Sequence, residues 1–116
     1  MRQPAQPMAW PTFVELTRWA ASVLPHRKQD HDRLLTQEAR NLLVSIMANT
    51  APLMTRQQLV EFLGQPPDAM RRTLAALRSN RGPRGDAWAV HFSGYPARFQ
   101  DTVIAEALAA VNGIAP

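Results

Sequence analysis

The sequence predicts a mainly α-helical domain with one small β-hairpin. Three observations lead there. Apolar residues return at helical spacing in five stretches, around 13–24, 37–49, 59–63, 70–77 and 103–111. Residues that open or close helices (Thr, Asp, Pro, Gly) stand at the ends of those stretches. One further run, Ala87-Trp88-Ala89-Val90-His91-Phe92, alternates large apolar side chains with small or polar ones, as a half-buried strand does.

Composition bounds the rest. A chain of 116 residues is expected to fold as one domain with a modest core. It has no cysteine, which excludes thiolate metal sites, redox pairs and disulfides. No window approaches the apolar length of a membrane span, so a cytoplasmic protein with no membrane partner is expected. The net charge is +4, from 13 basic and 9 acidic side chains. Residues 69–85 hold five arginines (71, 72, 78, 81 and 84) and no acid, while the remaining chain is near neutral. The surplus therefore forms one footprint for a polyanion. Arg, whose fork suits phosphate and guanine, supplies every basic residue except Lys28, although a coding bias towards Arg, Ala and Pro accounts for the same usage.

Taken in order, residues 1–11 read as a flexible Pro/Gln tail and 12–116 as the domain. Thr12 and Glu15 have capping-box spacing and open a helix over 13–24, stopped by Pro25. Its broad apolar side (Phe13, Leu16, Ala20, Val23, Leu24) must pack on the domain or on another chain. Residues 25–33 form a charged linker. His26 and His31 do not share a helix face, so no metal site is expected there with Asp30 and Asp32. Thr36 is placed to cap a helix over 37–49, with Glu38 at its positive end. Leu42, Leu43, Ile46 and Met47 face its core side and Arg40 faces out. Leu53-Met54 reads as a very short strand.

Thr55 and Gln58 form a second capping box. Leu59, Phe62 and Leu63 make the apolar face behind it. Gly64 stands where a left-handed residue would end the helix. Pro66-Pro67 open the next helix, over about 67–80, with Asp68 in its first turn. Its core face is Met70, Leu74 and Leu77. Asp68, Arg71, Arg72, Ala75 and Ser79 project to the opposite side, with Arg78 on the flank. Gly82 and Gly85 then allow a tight reversal beside Arg81 and Arg84. The strand over 87–92 has two hairpin readings, one turning at 81–86 and one turning at Gly94 with 97–99 returning. Both stay open. Asp101 is placed to cap a last helix over 102–112, stopped by Gly113, with Val103, Ile104, Ala107, Leu108 and Val111 inward. No internal repeat stands out.

Over 55–77 the pattern T-x-x-x-L-x-x-x-L-G-x-x-x-x-x-M-x-x-x-L-x-x-L resembles the winged helix-turn-helix superfamily of bacterial DNA-binding domains. The resemblance covers about 34–99. It implies a winged helix-turn-helix core flanked by the helices at 13–24 and 102–112. It makes the 67–80 helix the recognition helix and the 81–86 reversal the wing. DNA contacts are then expected from Thr55, Pro67, Asp68, Arg71, Arg72, Ala75 and Arg78, with Arg81 and Arg84 on the wing.

The implied function is sequence-specific binding of double-stranded DNA by a small prokaryotic transcriptional regulator. The alternative is a protein–protein adaptor without DNA binding, using Trp10, Trp19, Trp88 or Tyr95 as anchors. The apolar terminal helices suggest a homodimer; packing within one chain is the other solution. No catalytic residues and no cofactor are expected. There is no cysteine nucleophile, no serine with a base beside it, and Gly82-Pro83-Arg84-Gly85 lacks the Lys-Ser/Thr of a phosphate loop.

Overall fold

The C-terminal half of one helix is buried on every side, and two other helices pack along it. The computed structural model describes residues 13–25, 33–49, 54–79 and 90–114, excepting the side chains at 13 and 77–79. The helices are α1 (Phe13–Val23), α2 (Arg33–Asn49), α3 (Arg56–Leu63), α4 (Pro67–Ser79) and α5 (Ala97–Asn112). Residues 90–93 add a further helical turn. In α2, six consecutive residues from Leu42 to Met47 are buried. Such a run has no solvent face, so neighbours must enclose the helix. α1 and α5 pack on it, and α3 packs on α5. Leu59, Leu63, Met70, Leu74 and Phe92 complete the same core.

The expected β-hairpin is absent: among the described residues there is no strand, and the fold is all-helical. Val90 and Phe92 show why. A strand would put both on one face. They are instead 54% and 1% exposed, as residues about 200° apart on a helix should be. The alternation in 87–92 was one of size, with alanine in the small positions, and alanine favours helix. Trp88 and Phe92 also have helical spacing. The proposed return strand at 97–99 is the first turn of α5, because Pro96 opens a helix: its carbonyl accepts from the amides of Phe99 and Gln100, each at 3.0 Å. Met54 lies in no strand, and Leu53 is outside the described residues.

Other boundaries shift for local reasons. Asp101 lies inside α5 and caps nothing. Thr36 lies inside α2 and is 2% exposed, because that helix starts at Arg33. The capping box of α3 is present in full, with Thr55 and Gln58 in reciprocal contact. Gly64 has φ −83°, so handedness is not its reason. A Cβ there would lie 3.1 Å from the Val60 carbonyl, and glycine permits that close approach.

The helix at 102–112 was expected to flank the domain, yet α5 is central: Val103, Ala107 and Val111 have no exposed surface. In α1, Leu16, Ala20 and Leu24 are buried as well. Among the described residues, both apolar stripes thus pack on the core of their own chain.

The structure also exposes a repeat that the sequence hides. Val60, Phe62, Gly64 and Pro66 recur thirty residues later as Val90, Phe92, Gly94 and Pro96. Each set spans a helix end, a three-residue turn and a helix start. The Pro66 carbonyl accepts from Met70 N at 2.9 Å, and the Pro96 carbonyl accepts from Gln100 N at 3.0 Å. Met70 and Gln100 are both buried, as are Leu74 and Ile104. Two helix–turn–helix units with the same Gly-x-Pro turn therefore follow each other in the chain.

Candidate nucleic-acid interface

The first unit contains most of the residues expected to meet DNA. Its turn is locked by Gln65, which donates to the Phe62 carbonyl at 2.9 Å and accepts from Thr73 Oγ1 at 3.3 Å. Met70 and Leu74 seat α4 on the core, and Pro67, Asp68, Arg72, Ala75 and Ala76 are exposed. Asp68, Arg72 and Ala75 thus lie outward as expected, the side chain of Ser79 is outside the described part, and Arg71 differs. Arg71 turns towards α5 and is ion-paired through its two terminal nitrogens with Asp68 and Asp101. Only a quarter of its side chain is exposed. Two carboxylates around one guanidinium leave a local negative surplus, which disfavours a phosphate. Arg72 makes no side-chain hydrogen bond or ion pair among the described residues, so its charge is available.

The remaining expected contacts divide. The Thr55 amide donates to Gln58 Oε1 at 2.9 Å, and its hydroxyl accepts from Gln58 N at 3.1 Å, so the cap is occupied by the fold. Arg78 belongs to α4, but its side chain lies outside the described part. Arg81 and Arg84 lie outside the described residues, as do Trp10, Trp88 and the His26, Asp30, His31, Asp32 group. Arg40 donates to the Leu24 carbonyl at 2.6 Å and so ties the end of α1 to α2. Trp19 and Tyr95, anchors in the adaptor reading, are half-buried against the core.

One polar cluster was missed. Glu38, 3% exposed, accepts from Tyr95 Oη at 2.5 Å and from Asn41 Nδ2 at 3.0 Å. His91 Nε2 lies 3.2 Å from the same carboxylate and 3.0 Å from Tyr95 Oη. This cluster fastens the second Gly-x-Pro turn to α2. The hydrogen bond to Glu38, then burial, then the Glu38 charge push the Tyr95 hydroxyl up to about 12. A phenol held neutral in this way is a donor and not a nucleophile. The sequence signal was there: Glu38 occupies a position of the apolar stripe, three after Leu35 and four before Leu42.

A shallow cleft of about 170 Å³ lies between the first turn and α5, lined by Leu63, Gln65, Pro67, Asp101, Ile104 and Leu108. That is below the usual size of a small-molecule site. Among the described residues no helix is long and apolar enough to cross a membrane. No protein-family model, curated protein or solved structure matches this chain.

Proposed function

We propose that the chain binds double-stranded DNA through α4, sequence-specifically, as a small prokaryotic transcriptional regulator acting in the cytoplasm. One observation carries the reading. Behind a capped short helix and a three-residue glycine turn, α4 is seated by Met70 and Leu74, with Arg72 and Ala75 exposed on its outer side. A groove-reading helix needs an arginine fork near its start and little bulk behind it. The arginine excess over 69–85 supports the same partner. Arg71 moves from the reading set to the support of that set, and no β-hairpin wing belongs to the proposal.

Binding-site selection from random duplex DNA tests it. Wild type is expected to enrich a defined motif, and Arg72→Ala is expected to lose most of that enrichment. No enrichment, together with no duplex affinity at low salt, rejects the reading.

A further inference from the structure

The two helix–turn–helix units touch at matching positions. Arg71 of α4 and Asp101 of α5 stand thirty residues apart, at the same place in the repeat, and pair with each other. One arginine and one aspartate side chain therefore bridge the N-terminal halves of α4 and α5. We propose that α4 and α5 together form a single duplex-DNA surface, in which Arg98 is a phosphate contact alongside Arg72. This deepens the DNA-binding reading above and rests on it.

Charge and shape carry the argument. Arg98 precedes Asp101 by three residues, so both lie on one face of α5. Arg98 is exposed, and its side chain has no partner among the described residues. Asp68, its counterpart in the first unit, is ion-paired with Arg71, as is Asp101. Arg71 neutralises one of these two acids, and Arg72 and Arg98, the two cations here without a partner among the described residues, outweigh the charge that is left. The other exposed side chains on these helix halves, Pro67, Ala75, Ala76, Ala97, Thr102 and Ala105, are small and hold nothing away.

The geometry also limits the mode of binding. Recognition helices of a dimer lie about 34 Å apart, in successive major grooves. Two helices joined by an ion pair cannot span that distance. They must share one groove and its flanking phosphates, so one chain makes both contacts on a short site.

The test is the salt dependence of binding to a short duplex, followed by fluorescence anisotropy. Arg72→Ala and Arg98→Ala are each expected to lower the log–log slope by about 0.9, and the double variant by about 1.8. Arg98→Lys should keep the wild-type slope, because it keeps the charge. Arg18→Ala, exposed on α1, should also keep it. If Arg98→Ala keeps the wild-type slope while Arg72→Ala lowers it, the shared surface is wrong and the α4 reading survives. Equal effects of Arg98→Ala and Arg18→Ala also overturn the shared surface. Absence of wild-type binding at low salt removes both.

Discussion

Arg71 and Asp101 occupy the same position in two consecutive helix–turn–helix units, and an ion pair joins them across the contact between α4 and α5. The pair explains why a residue on the outward side of α4 is not a free cation. With side-chain exposures of 25% and 36%, it is only partly screened by solvent. A double-mutant cycle of Arg71→Ala and Asp101→Ala in urea should give a coupling of about 0.5–1 kcal/mol. Asp68 is 76% exposed, so Asp68→Ala should cost less than Asp101→Ala. Additive single changes would mean that the contact contributes nothing.

The Tyr95–Glu38 contact predicts an alkaline transition. The folded pKa of about 12 lies above the ordinary tyrosine value of 10.0. The folded state therefore holds this proton more tightly than the unfolded state does. The associated stability is complete below about pH 10 and is lost as pH rises towards 12. Tyr95→Phe should remove this part of the pH dependence. At neutral pH it should cost about 1.5–3 kcal/mol, because the buried carboxylate loses a donor. Tyr95 is the single tyrosine, so tyrosinate absorbance reports it directly. Glu38→Gln should bring its titration back towards the ordinary value. Titration of wild type at the ordinary value would refute the contact.

Opposite faces for Val90 and Phe92 make a third prediction. Phe92→Ala should destabilise by about 3–5 kcal/mol, since a fully buried ring leaves a cavity. Val90→Ser should stay within about 0.5 kcal/mol, as an exposed position does. Comparable large losses at both positions, measured by urea unfolding, would fit a strand and contradict the helical turn.

What could be read from the residues depended on how local the cause was. The Thr55–Gln58 box and the prolines opening α4 act within one turn, and both were legible. Phe92 and Pro96 were misread because short apolar runs fit either period, and a proline in a turn also opens a helix. The difference was decided by Glu38, more than fifty residues away, which binds Tyr95 and His91. On the candidate surface, the outward face of α4 followed from its periodicity. The withdrawal of Arg71 did not, because its partner Asp101 belongs to another helix. The repeat stayed hidden because only Val, Phe, Gly and Pro recur around the turn, while Gln65 and Tyr95 stabilise the two turns by different bonds.

The central claim is that an arginine-bearing surface centred on α4 neutralises DNA phosphates. Its most direct test is the affinity of wild type for duplex DNA measured across a range of salt. Arg72 and Arg98, with Arg78, Arg81 and Arg84 from the sequence reading, predict a log–log slope of about −4 to −5. A flat response would contradict the account.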